Sequence, residues 1–192
     1  TISGGEVNAI GGDWSAGIGG GQRGSGSHIT ISGGEVNASG GKCGAGIGGG
    51  SWTTKQDMDG INAASDIVIS GGRVSARGQY NCAGIGGGQY VPARNITITG
   101  GHVSATGHYG AAIGGGRWCH GKNITITDAT LNLSTNYRSN GSDAAAVGYG
   151  DIVYKPEQLV ADPSIATNDQ IRIGSVSYTH LTLPTNSRVE IS

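Results

Sequence analysis

The feature that most restricts this chain is a two-part motif that recurs five times. Its first half reads TISGGEVNA at residues 1–9 and ITISGGEVNA at 29–38. It returns as IVISGGRVSA at 67–76, ITITGGHVSA at 96–105 and, degraded, ITITDATLNL at 124–133. Its second half is AGIGGG at 16–21, 45–50 and 83–88, then AAIGGG at 111–116 and AAVGYG at 145–150. Copies starting at Ile29, Ile67, Ile96 and Ile124 are 38, 29 and 28 residues apart. The long interval holds an insertion at about residues 51–65, and insertions confined to one corner are what a stacked repeat tolerates.

Inside each copy the pattern has period two. Ile29 and Ile31 share one face with Thr30 opposite, and Val36 and Ala38 share one face with Glu35 and Asn37 opposite. That is strand periodicity. Ser32, Gly33 and Gly34 form a turn, because glycine reaches positive φ without steric cost. Glycine numbers 39 of 192 residues, about three times the usual ~7%. The three-residue period of collagen is absent, and the β-branched residues in fixed register argue for order.

A single coil of this kind has nothing to bury its apolar side against, so successive coils must stack. Stacking predicts an all-β, right-handed parallel β-helix of about five three-sided coils. Three interior columns follow: Ile31, Ile69, Ile98 and Ile126; Val36, Val74, Val103 and Leu131; and Ile18, Ile47, Ile85, Ile113 and Val147. The array is expected over residues 1–150, followed by an irregular cap or the start of another segment at 151–175. Residue 1 is expected to fall inside a strand, with the natural N-terminus expected upstream.

Charge and motifs narrow the function classes. Twelve basic and 13 acidic residues leave a net charge of −1, which offers no footprint for nucleic acid. No apolar run reaches the length of a transmembrane helix. Cys43, Cys82 and Cys119 lack CxxC spacing and read as free thiols, with a Cys43–Cys82 bridge as the less favoured alternative. GIGGGQ lacks the helix and the Lys-Ser/Thr pair of a phosphate loop, so its glycines read as packing and turn residues.

No catalytic residues are expected. Glu6 and Glu35 stack on an outer face continued by Arg73 and His102, which reads as a solvated edge rather than a carboxylate dyad. Asp13, Asp66, Asp128 and Asp143 scatter over different motif positions. Asp57 and Asp59, beside Lys55 in the insertion, are the weak candidates for calcium, and no other cofactor is implied. His102, His108 and His120 lack zinc spacing. Asn8, Asn37 and Asn132, with Ser75 and Ser104 between, make an outer polar ladder.

Two residues beyond the glycine triplets stand Arg23, Trp52, Tyr90 and Trp118. Register places Trp52, Tyr90 and Trp118 side by side along the axis, where a row of ring faces could meet sugar rings or simply pack on itself. They are the candidate ligand-binding residues.

The repeats ITISGGEVNA and AGIGGG resemble the glycine-rich repeats of large bacterial cell-surface proteins. They are more distantly similar to calcium-dependent carbohydrate-binding β-helix domains. The resemblance covers about residues 1–150. It implies an extracellular, surface-displayed, adhesin-type scaffold whose loops contact host or cell-wall polysaccharide. The alternatives are a carbohydrate-binding module proper, or a fragment of a polysaccharide lyase or hydrolase. VSYTHLTLPT at residues 176–185 resembles the translated read-through of a sequencing-library adapter, a contaminant of metagenomic gene models. Residues 176–192 are therefore expected to carry no function.

Overall fold

The computed structural model describes residues 1–52, 62–135 and 144–150 in full, and short strands at 138–139, 142–143, 171–173, 177–178 and 190–191. Coil one supplies β1 (Glu6–Ile10) and β2 (Ile18–Gly19); coil two supplies β3 (Ser27–Ile31), β4 (Glu35–Ser39) and β5 (Ile47–Gly48). Coil three has β6 (Ala64–Ile69), β7 (Arg73–Arg77) and β8 (Ile85–Gly86). Coil four has β9 (Ala93–Ile98), β10 (His102–Gly107) and β11 (Ile113–Gly114). Coil five has β12 (Gly121–Ile126), β13 (Thr130–Thr135), the pair β14 (Arg138–Ser139) and β15 (Ser142–Asp143), and β16 (Val147–Gly148). Three further strands follow: β17 (Ile171–Ile173), β18 (Ser177–Tyr178) and β19 (Glu190–Ile191).

Strands at the same motif position pair in parallel, giving three sheets that wrap the axis of a right-handed β-helix. Sheet A runs β3-β6-β9-β12-β17-β19, sheet B runs β1-β4-β7-β10-β13-β18, and sheet C runs β2-β5-β8-β11-β16. The antiparallel pair β14–β15 stands apart from them. Parallel pairing extends past Gly150, the expected end of the array: Ile171 pairs with Ile124, Ile173 with Ile126 and Tyr178 with Leu131. The degraded fifth copy is therefore an interior rung, with Leu131 and Leu133 buried.

The register matches equivalent motif positions. Val36 pairs with Val74, Val74 with Val103 and Val103 with Leu131. Ile31, Ile69, Ile98 and Ile126 align in sheet A, and Ile18, Ile47, Ile85, Ile113 and Val147 align in sheet C. All three columns feed one continuous apolar core, which the half-buried Ile18 borders. Each fully buried Ile or Leu contributes on the order of 1.5–3 kcal/mol, so stability accumulates along the stack rather than in any one layer.

The second half of the motif does something the alternation pattern does not encode. In each copy the alanine N–H donates to the carbonyl four residues on: Ala16 to Gly20 (2.9 Å), Ala45 to Gly49 (3.1 Å), Ala83 to Gly87 (2.9 Å), Ala111 to Gly115 (3.0 Å) and Ala145 to Tyr149 (2.8 Å). The chain therefore makes a narrow arch whose tip is the two-residue strand of sheet C. The second residue of each strand, Gly19, Gly48, Gly86, Gly114 and Gly148, sits at φ between +114° and +139°. A Cβ built on any of the first four would strike the backbone carbonyl of the glycine one coil further on. Both the dihedral and the contact demand glycine there.

Candidate functional site

Sheet C is so short that the corners on either side of it meet. In coils one to three the corner after the B-sheet position accepts a hydrogen bond from the corner after the C strand of the next coil. Ser51 N–H donates to Trp14 O (2.8 Å), Gln89 N–H to Cys43 O (3.2 Å) and Arg117 N–H to Asn81 O (2.8 Å). These corners hold bulky residues at left-handed dihedrals: Trp14, Cys43, Asn81 and Tyr109 on one side, and Arg23, Tyr90 and Trp118 on the other, with φ between +56° and +70°. Such residues rarely adopt this conformation, and here the backbone bonds between coils hold it. Of these side chains Cys43 is buried, Arg23 is exposed and the others are half-buried.

On coils three and four the converging corners build a contiguous aromatic surface. Trp118 stacks on Tyr90 with centroids 4.8 Å apart and planes within 12°. The Arg117 guanidinium lies 4.3 Å from the Trp118 centroid and 4.3 Å from that of Tyr109. Its Nη1 donates to Asn81 Oδ1 at 3.1 Å. Tyr109 packs edge-on against His108 at 4.9 Å, and His108 meets the Tyr80 ring at 5.2 Å. Tyr80 is 58% exposed, while the other members are half-buried. Burial, and then the positive charge of Arg77 and Arg117, hold the His108 imidazole below its ordinary pKa.

Of the three expected aromatics, the structure brings Tyr90 and Trp118 together. Trp52 instead packs against the apolar core, and its indole N–H has no hydrogen-bond partner among the described residues. Arg117, Tyr109, His108 and Tyr80 join the surface without having been singled out for it. They occupy a different motif position, and a contact such as Arg117 to Asn81 spans 36 residues between two corners. Column alignment alone does not display such a contact.

The remaining candidates are quieter. Glu6, Glu35, Arg73 and His102 do form one exposed column in register. In the outer polar ladder, Asn37 donates to Asn8 Oδ1 at 3.1 Å, and Asn8 donates to Glu6 Oε1 at 2.8 Å. A second ladder went unread: Asn123 donates to Asn95 Oδ1 (3.1 Å) and Asn95 to Asp66 Oδ1 (3.0 Å). Its members sit at positive φ one residue before Ile67, Ile96 and Ile124, where the strand register skips a residue. The recurring polar residue at that position was its signal. Hydrogen bonds from Asn95 and Ser65 hold the Asp66 carboxyl below its ordinary pKa, so this acid is occupied in the wall of the solenoid.

Cys43, Cys82 and Cys119 are free and buried. Burial raises all three thiols, Cys82 well above its ordinary value and Cys119 to about 12. At neutral pH they are protonated packing residues, since only the thiolate is a nucleophile or metal ligand. No group of three or more His, Cys, Asp or Glu able to hold a metal occurs among the described residues. Asp57 and Asp59 lie outside the described residues, as do the side chain of Asp143 and most of residues 151–192. No helix among the described residues is long and apolar enough to cross a membrane.

Four stretches, residues 1–22, 29–51, 67–89 and 96–117, match the family model described as beta helix repeat. Each covers one copy of the two-part motif, and the degraded fifth copy falls outside them. No curated protein and no solved structure matches the chain.

Proposed function

We propose that this β-helix repeat protein is a non-enzymatic scaffold of the bacterial cell surface, displaying its corners to host or cell-wall polysaccharide. The observation that carries the reading is the division of labour within each coil. Interior columns stay apolar and in register from coil to coil, while the corners beside sheet C change from Asp-Trp to Lys-Cys to Tyr-Asn to His-Tyr. A stack with constant walls and variable corners is suited to holding side chains at fixed spacing, about 4.8 Å per coil.

The corner on coils three and four is the part suited to sugars. Stacked aromatic faces meet the apolar C–H face of a pyranose ring without needing to reorganise. A carbohydrate-binding module proper is the second reading, with the Tyr90–Trp118 pair, stacked ring on ring, as its candidate contact. A glycan array with the full chain tests the proposal. Bound glycans are expected to be released by Trp118→Ala, with affinity falling about tenfold for the loss of one stacking partner. Incubation with acidic polysaccharides is expected to yield no unsaturated uronides; their release, abolished by a chelator, would overturn the non-enzymatic reading.

A further inference from the structure

We infer that the outer face of sheet B is a homotypic interface, on which a second copy of the chain packs face to face with its coils in reverse order. The inference is independent of the polysaccharide reading and concerns a different face of the solenoid. Its basis is the arrangement of charge on that face, which is complementary to itself.

Strands β1, β4, β7 and β10 present three outward columns in register. The first is Glu6, Glu35, Arg73 and His102, all exposed. The middle one is Asn8, Asn37, Ser75 and Ser104, and the third is Ile10, Ser39, Arg77 and Thr106. Acid therefore occupies coils one and two, and base occupies coils three and four. These columns hold every charged residue of the four strands, and all of them are described residues. The corners that follow β7 and β10, residues 78–82 and 107–110, contain no Lys, Arg, Asp or Glu, while those of coils one and two carry Asp13 and Lys42. Glu35 and Arg73 are in-register neighbours, yet among the described residues no ion pair joins them. Both charges remain open to a partner.

A two-fold axis parallel to the strands, between coils two and three, turns this face onto itself and reverses the coil order. Glu35 then lies opposite the partner's Arg73, and Glu6 opposite the partner's His102, each contact made twice. The short side chains of the middle column let the sheets approach to about 10 Å, a gap that Glu and Arg side chains span. Ile10, which is 84% exposed, is covered by the partner's Thr106. A two-fold axis along the solenoid would instead set Arg73 against the partner's Arg77, and like charges so placed disfavour it. Four coils of strands about five residues long cover about 17 Å by about 19 Å, less than half of the ~800 Å² that each partner gives to a standard interface. Pairing is therefore weak and chiefly electrostatic, with a Kd between about 10 μM and about 1 mM. Copies held side by side on one surface reach effective concentrations of about that order.

Sedimentation equilibrium of the full chain, at up to about 1 mM protein, tests this in about 0.01 M and about 1 M salt, between which the Debye length falls from about 30 to about 3 Å. A monomer–dimer equilibrium is expected in low salt and is expected to weaken about tenfold or more in high salt. Glu35→Arg and Arg73→Glu are each expected to weaken it about tenfold or more, and the two combined in one chain to restore it. Mixed together, the two single variants are expected to pair with each other more tightly than either pairs with itself, because each supplies the charge that the other lacks. Arg94→Glu, the same change of charge at an exposed position on sheet A, is expected to leave self-association unchanged and to gain nothing from mixing with Glu35→Arg. Unfolding midpoints, expected to be unaltered at these exposed positions, show that each variant is folded. Absence of association in low salt would overturn the inference, as would failure of the mixed variants to pair. Association that ignores both Glu35→Arg and Arg73→Glu would place the contact elsewhere, at the edge strand β1 for instance, and would overturn it too.

Discussion

Replacing Gly86 by alanine is expected to destabilise the protein by on the order of 3–5 kcal/mol, more than half of what many domains have in total. Two costs combine. Gly86 sits at φ +128°, a conformation that an L side chain adopts only under strain of about 1–3 kcal/mol. Its new Cβ would also meet the carbonyl of Gly114 and the side chain of Ala93, so coils three and four would have to separate locally. The obstacle is backbone, which cannot rotate away as a flexible side chain could. Gly12 supplies the contrast: a Cβ there meets nothing within 4 Å and its φ is not positive. Gly12→Ala is expected to change stability by about 0.5 kcal/mol or less. Urea unfolding followed by circular dichroism measures both, and equal effects would mean that the glycine column of sheet C is not a contact between coils.

Ile96→Asp is expected to remove the folded state of the array at room temperature. Ile96 is fully buried and lies between Ile67 on one coil and Ile124 on the next. A carboxylate placed there has no partner within the apolar column, and burying it costs several kcal/mol beyond the lost packing. The packing alone is worth about 2–5 kcal/mol, the usual cost of truncating a buried Ile to Ala. Because each coil contacts only its neighbours, failure at coil four also uncouples coil five from the rest. Thr97, one residue further along β9, points to the opposite face and is partly exposed. Thr97→Asp is expected to cost about 1 kcal/mol or less. The contrast between adjacent positions is the signature of strand periodicity, and similar losses at both would contradict the placement of β9.

These two predictions differ in how visible their basis was in the sequence. The Ile96 column was legible because β-branched residues alternate with polar ones and the motif recurs almost intact, so stacking like on like was the economical reading. Sheets A and B follow directly from that pattern. Sheet C does not. Its strands are two residues long, and they are specified by an alanine N–H closing an arch onto a glycine carbonyl and by glycine meeting glycine across coils. Those are backbone interactions, which leave glycines in the sequence without saying what they approach.

The candidate surface was half legible for the same reason. Tyr90 and Trp118 share a motif position, and the stack brings them together. Trp52 shares the position too, yet its ring goes to the core, because register fixes where a backbone lies and not where a large side chain turns. Arg117 and Tyr109 come from opposite corners that meet only because sheet C is short. Non-glycine residues at left-handed dihedrals, such as Tyr109 and Asn81, gave no warning of their conformation. The ladder from Asp66 through Asn95 to Asn123 was readable as a recurrent polar residue before the isoleucine, but strand alternation predicts no unpaired residue there.

Everything rests on coils lying directly over one another in the register of the motif, and cross-linking measures that directly. Arg73 and His102 are exposed in-register partners on β7 and β10, whereas Ser104 lies two residues further along and pairs with Ser75. In-register Cα atoms of neighbouring strands stand about 4.8 Å apart, within disulfide reach, while a two-residue offset puts them at about 8 Å, beyond it. Arg73→Cys combined with His102→Cys is therefore expected to cross-link readily under mild oxidation, and Arg73→Cys combined with Ser104→Cys is not. Preferential bridging of the second pair, or of neither, would contradict the stacked register.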